Sequence, residues 1–372
     1  MNIAVAHIIA ARRSAVVPQG GAFARLSIED LGAPVLRACL ADADIDPAEV
    51  DEVIVANALG AGGNPARRIA LAAGLPDRVA GLSIDRQCAG GLDAVRLAQA
   101  LVISGAARLV VAGGVESFSR RPLRWRTDAD GGPPVRYDQA PFTPWPDRDP
   151  DMGQAAAALA DRLGISRGAQ EAWAVASHAK ALAADFSAEI VPLAGQGRDA
   201  FARRLTRAIA ARSAVVAGAE SGGESGAESG AVSVAATAVA ADAAAFVIVA
   251  DRPTARSLRL VAAATLGADP MQPGLSPLPA IARVLGQCRG DLTVAEVMEA
   301  YAVQAIACVQ GAALDPRIVN LSGGALARGH PIGASGAILA VRLYHQMQGR
   351  GGYGLAAIAA AGGVGSALLV EA

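Results

Sequence analysis

The sequence predicts a layered α/β protein in which one unit of strands and helices is built twice. Three observations carry that prediction. Short apolar, strand-like runs alternate with helix-patterned segments through the first 115 residues. The same alternation returns at "AADAAAFVIVAD" and continues to the C-terminus. Finally, "CAGGLDAVRLAQALVISGAARLVVAGG" passes from Cys88 through an apolar helix to a strand and Gly-Gly, and "HPIGASGAILAVRLYHQMQGRGGYGLAAIAAAGG" does the same from His330. An internal duplication with one chemical group per half follows, the two groups meeting where the halves join.

The elements come in order. "NIAVAHIIAA" reads as the first strand. "SIEDLGAPVLRACLADADI" reads as a helix, with Ser27 as N-cap, Glu29 in the first turn and apolar residues at helical spacing. "VDEVIVANAL" is the next strand and "NPARRIALAAGL" the second helix. A strand-like run then leads into Cys88, followed by a helix over Leu92–Ile103 and a strand, "RLVVAGG" (108–114). Such a pattern predicts a mostly parallel, buried sheet. Residues 115–237 differ. "RRPLRWRTDADGGPPVRYDQAPFTPWPDRDP" is rich in proline, arginine and aromatics and reads as loops packed over neighbouring structure. "SRGAQEAWAVASHAKALAADF" is a helix, and the Glu-Ser-Gly repeat of "AGAESGGESGAESGA" (217–231) reads as a flexible surface loop without a catalytic role. Near the end, "GLAAIAAAGGVGSALLV" (354–370) is long enough to span a bilayer. Its glycines at 362, 363 and 365 divide it, so two buried strands around a tight turn are expected.

Composition narrows the function. The apolar fraction is 53% but aromatics make up only 3%, so the core is expected to be alanine- and valine-packed. With 33 basic and 34 acidic residues, the charge gives no reason to expect nucleic acid or an anionic membrane as partner. Cys39, Cys88, Cys288 and Cys308 are widely spaced and form no C-x-x-C pair. Neither a disulfide framework nor a metal site is read from them, and a cytoplasmic location is the default. No signal peptide is read in "MNIAVAHIIAARRS".

Two residues carry the chemistry. Cys88 precedes Ala89, Gly90 and Gly91, which let a backbone or a substrate come close, and stands at the head of an apolar helix. The amides and dipole of that helix are expected to lower its pKa from ~8.5 towards 7 or below. The plain alternative is a buried thiol packing as a small hydrophobe. His330 shifts the weight, because "NLSGGALARGHPIGASGA" surrounds it with small residues that core packing does not require. A thiol and an imidazole from two similar halves suit a nucleophile–base pair. His7, His178 and His345 fit ordinary structural placements.

"NPARRIALAAGLP", "DRQCAGGLDAV", "VVAGGVESFS", "MGQAAAALADRLGISRGAQEAWAVASHAKA" and "GGALARGHPIGASGA" stand in one order over the whole chain. In that order and spacing the chain resembles the thiolase family, the CoA-dependent β-ketoacyl and acetyl transferases. The resemblance implies duplicated βαβαβαββ halves in an α/β/α/β/α layering, with a loop domain inserted after the first half. On that plan residues 1–114 with 238–253 form the N-terminal half, 115–237 the insertion and 254–372 the C-terminal half. It implies acyl-CoA as substrate, no bound cofactor, and a homodimer or homotetramer; a heteromeric partner is the expectation if the chain is a subunit. Cys88 matches the acyl-accepting cysteine and His330 the histidine that activates it. The backbone amides of Cys88 and Ala361 match the oxyanion hole, and Met152, Ala238 and Met298 fall in substrate-binding stretches.

The departures from the family pattern matter as much. Ala359 stands where the family has its second, acid–base cysteine, and alanine has no proton to exchange. Met298 stands where asparagine or histidine helps hold a water, and Ala238 where a serine is common against the CoA tail; Asp242 is kept. Ala361 occupies a glycine position and is strained if its φ is positive. Three readings follow: an acyltransferase through acyl-Cys88 with impaired Claisen condensation; a working thiolase with Tyr301 or Cys308 as substitute base; and a non-catalytic or partner-dependent subunit.

Overall fold

The computed structural model describes residues 5–60, 62–218 and 230–372; most of the Glu-Ser-Gly repeat lies outside them. The first half runs β1 (His7–Ser14), α1 (Ile28–Asp42), β2 (Glu52–Ala56), α2 (Pro65–Ala72), β3 (Ala80–Ile84), α3 (Gly90–Ile103) and β4 (Leu109–Ser117). An insertion carrying α4 (Met152–Leu163) and α5 (Arg167–Ala183) precedes its last strand, β5 (Ala241–Ala250). The second half runs β6 (Leu258–Gly267), α6 (Pro277–Leu285), β7 (Leu292–Val297), α7 (Ala302–Gly311), α8 (Ile332–Met347), β8 (Tyr353–Ala360) and β9 (Val364–Glu371).

Local chemistry starts these elements where the sequence expects. Ser27 Oγ accepts from the Asp30 amide and the Asp30 carboxylate accepts from the Ser27 amide, a capping box worth about 1 kcal/mol. The acid closing the box is therefore Asp30; Glu29 pairs with Arg68 instead. Asn64 caps α2 and Pro65 opens it, where a missing N–H costs nothing.

The strands lie in the order β7-β8-β9-β6-β1-β5-β4-β2-β3. Outward from the join, the first half reads β1-β5-β4-β2-β3. The second reads β6-β9-β8-β7, and beyond β7 a single parallel bridge, Ala295 to Val319, stands where its third strand belongs. Both halves thus follow one topology, joined by a short pairing of His7 with Arg259 and Ile8 with Leu258. The sheet is mixed rather than mostly parallel. β2, β3 and β4 are parallel, as are β7 and β8, but the first and last strands of each half run antiparallel to their neighbours. The cause is connectivity: β8 returns as β9 through a tight turn at 361–363 instead of a crossover helix.

α3 and α8 pack against each other and against strands of both halves, while α1 and α2 cover the first half and α6 the second. Five layers result. All ten residues of β5 are buried, and the alanine-rich central helices let main chains approach closely. A Cβ on Gly91 would sit 2.4 Å from the Ala337 nitrogen, and one on Gly336 would sit 2.3 Å from the Leu92 nitrogen. Gly91 therefore receives the backbone of α8, while Gly90 faces Ala56 of β2, and this crossing sets the distance between the two helix starts.

Candidate active site

Cys88 sits on a single 3₁₀ turn, Gln87–Ala89, that runs directly into α3. The turn is entered through Gln87 in the left-handed region (φ 48), held by Asp85, which accepts from the Gln87 amide at 2.9 Å and from its side chain at 3.1 Å. His330 follows Gly329, whose φ of 115 only glycine adopts readily. The His330 amide donates to the Val239 carbonyl at 2.7 Å, tying the histidine to the segment that leads into β5.

The two side chains meet. His330 Nε2 lies 3.1 Å from Cys88 Sγ, and Nδ1 lies 2.6 Å from Ser335 Oγ. Ser335 donates its one hydroxyl hydrogen to the Pro331 carbonyl at 3.0 Å, leaving Oγ to accept from Nδ1–H. This arrangement puts the Nε2 lone pair towards the thiol, the tautomer a general base requires. Ser335 was not singled out in the sequence; its signal was its place one turn into the helix that His330 heads.

Electrostatics correct one expectation. Burial pushes the Cys88 thiol up to about 12, with Glu116 and Asp85 adding to the rise and the amides of Cys88 and Ala361 opposing it. These two amides face the sulfur, but loss of hydration outweighs them. Burial likewise lowers His330 to about 4. The resting pair is neutral thiol and neutral imidazole.

Glu116 braces the site from below. Its carboxylate accepts from the amides of Gly333 (2.9 Å), Ala58 (3.1 Å) and Leu59 (3.2 Å) and from Asn57 Nδ2 (2.9 Å). It clamps the start of α8 to the loop after β2, and burial raises its pKa to about 7. In the sequence it is an acid in "VESFS", 217 residues from the glycine it holds.

Cys88 and His330 open onto a cavity of about 200 Å³. Met152, Ala238, Ala359 and Ala361 line it, as do Tyr301 and Gln304. Ala361 escapes strain, because positive φ falls on Gly362 (76) and Gly363 (73) instead. Met298 is not at the cavity wall: it is 1% exposed in the core, at the end of β7. Cys308 is fully buried, its Sγ donating to the Gly274 carbonyl, and does not line the cavity either. Tyr301 does, and burial holds its phenol up at about 12. His178 accepts from the Arg203 amide and His345 contacts the Ala11 carbonyl, both away from the cavity.

The N-terminal domain model of thiolase matches residues 6–252 and its C-terminal domain model matches 254–372. The chain belongs to the thiolase family. A putative acetyl-CoA C-acetyltransferase, YhfS, of Bacillus subtilis is 38% identical over 380 residues, and an acetyl-CoA acetyltransferase of Cupriavidus necator is 37% identical over 389; each alignment covers 98% of both chains. Among solved structures, the Bacillus anthracis acetyl-CoA acetyltransferase superposes with a TM-score of 0.87 at 29% identity over 99% of both chains. Human mitochondrial 3-ketoacyl-CoA thiolase, solved with CoA, gives 0.87 at 26% identity, covering 100% of this chain and 98% of that one. Thiolase-family members are acyltransferases acting on CoA-linked substrates, and the chain is an enzyme of that class. Among the described residues, no helix is long and apolar enough to cross a membrane.

Proposed function

We propose that this thiolase-family acyltransferase works through an acyl thioester on Cys88 and that its carbon–carbon bond chemistry is impaired. The observation that carries the reading is the 3.1 Å contact between Cys88 Sγ and His330 Nε2 in a cavity where Ala359 offers no exchangeable proton. Cys88 gives its proton to His330 Nε2 as sulfur attacks the carbonyl carbon of an acyl-CoA. The carbonyl oxygen takes up the negative charge between the amides of Cys88 and Ala361. Collapse breaks the bond to the CoA sulfur, which leaves with the proton from His330. The acyl group then passes to an acceptor whose proton returns to His330. Claisen condensation also requires a base to remove an α-proton from a second acyl-CoA, and Ala359 supplies none. Met152 and Ala238 contact the substrate from the cavity wall, and the division into halves 1–114 with 238–253 and 254–372 around the insertion 115–237 belongs to this reading. So does a homodimeric or homotetrameric assembly.

The test is restoration. Ala359→Cys is expected to raise condensation or thiolysis by about 10²–10⁴-fold, the range for a positioned acid–base. A wild-type enzyme that already condenses acetyl-CoA rapidly, with no gain in the variant, would refute the impairment. One observation favours a second reading: Tyr301 faces the same cavity and is the candidate substitute. Its high pKa suits donation of a hydrogen bond better than removal of a proton.

A further inference from the structure

The cavity at Cys88 has a direction. Of its lining, Gln139, Phe142 and Gln87 are exposed or half-exposed, whereas Ala156, Leu159 and Gln304 are buried. The first group marks the mouth and the second the inner end. Beyond that end lies a separate surface cleft of about 190 Å³, lined by Ala155, Ala158, Arg162, Met271 and Gln272. Leu159 and Gly274 border both spaces and therefore form the partition that the two share. Leu159 is 5% exposed and packs directly on the Gly274 backbone, where an added Cβ would sit 2.7 Å from Leu159 Cδ2.

We infer that Leu159, seated on Gly274, sets the length of acyl chain that Cys88 accepts, closing an apolar path that otherwise continues into the outer cleft. The inference rests on the acyl-Cys88 reading. The substrate class it names is a straight-chain acyl-CoA short enough to end at Leu159. The inner end is largely apolar: Ala156, Leu159 and Pro273 stand against it, and the Gln304 side chain there is already hydrogen-bonded to the Ala300 amide and Cys308 Sγ. An alkyl chain gains there by burial, and each further methylene that meets the wall is rejected instead. A leucine is a movable wall, because its rotamers are few but distinct, and Gly274 leaves no Cβ to replace it as a stop.

The experiment is intact-protein mass spectrometry with acyl-CoAs from two to twelve carbons, read as the ratio of decanoyl to acetyl labelling of Cys88. That ratio is independent of the fraction of folded protein. Leu159→Ala is expected to raise it at least about tenfold, the scale of discrimination in an apolar pocket, and Leu159→Val to raise it less. Adding Met271→Trp, which obstructs only the outer cleft, is expected to cancel the gain. Labelling of the wild type with an unmoved ratio in both Leu159 variants would overturn the inference alone. No labelling of the wild type by any thioester would overturn the acyl-Cys88 reading, and this inference with it.

Discussion

At Cys88 two opposing effects act on one proton. The amides of Cys88 and Ala361 stand against the sulfur, while burial beside Glu116 disfavours the thiolate, and burial prevails. The thiol is activated only as it reacts, by handing its proton to His330, which stays unprotonated down to about pH 4. Alkylation of Cys88 by iodoacetamide, followed by peptide mapping, is therefore expected to rise with pH past 9 without levelling off. A plateau near neutrality would mean a preformed thiolate and would contradict this assignment. The sequence pointed to Cys88 and His330 because small residues surround both. It could not reveal the sign of the shift, which depends on Glu116, Asp85 and the apolar wall brought in from elsewhere.

The crossing of α3 and α8 decides whether the pair forms at all. Each helix presents a glycine to the backbone of the other, so a single methyl group pries them apart. Gly336→Ala, with its Cβ 2.3 Å from the Leu92 nitrogen, is expected to cost about 1–3 kcal/mol in urea unfolding and to slow Cys88 acylation. Gly267→Ala, at the end of β6 with open space around it, is the near-neutral control. Equal stability of the two variants would contradict the close-packed crossing. Element by element, much was legible: Ser27, the two central helices and the hairpin at 361–363 follow from capping residues, apolar periodicity and paired glycines. The role of Gly91 was not, because a glycine pattern shows that something comes close without showing what. Met298 was likewise invisible as a core residue, since its position relative to the cavity is set by how β7 ends.

For the whole molecule, the duplicated topology was readable from the repeat that begins at Cys88 and at His330, whereas the mixed strand directions required the connectivity. Acid stability follows from how the fold treats its histidines. All four have pKa values below the ordinary 6.5, chiefly through burial, with His178 and His330 at about 4. Between pH 6.5 and 4 the unfolded chain binds protons that these folded histidines refuse, so stability falls as pH falls through that window. Glu116 acts in the opposite sense: at about 7 folded against an ordinary 4.5, it binds its proton first in the folded state. Glu52, Asp242 and Glu296 are raised by burial as well and act with Glu116. Against these four carboxyls, the four lowered histidines are expected to set the sign. Thermal melts are expected to show Tm dropping from pH 7 to pH 5, and a Tm that rises over that range would contradict the sign.

Intact-protein mass spectrometry after incubation with acetyl-CoA and longer acyl-CoAs decides whether Cys88 carries the acyl group. An added acyl mass that maps to Cys88 and is absent from Cys88→Ala is expected. An unmodified wild-type mass with every thioester, or an adduct that persists in Cys88→Ala, would contradict it.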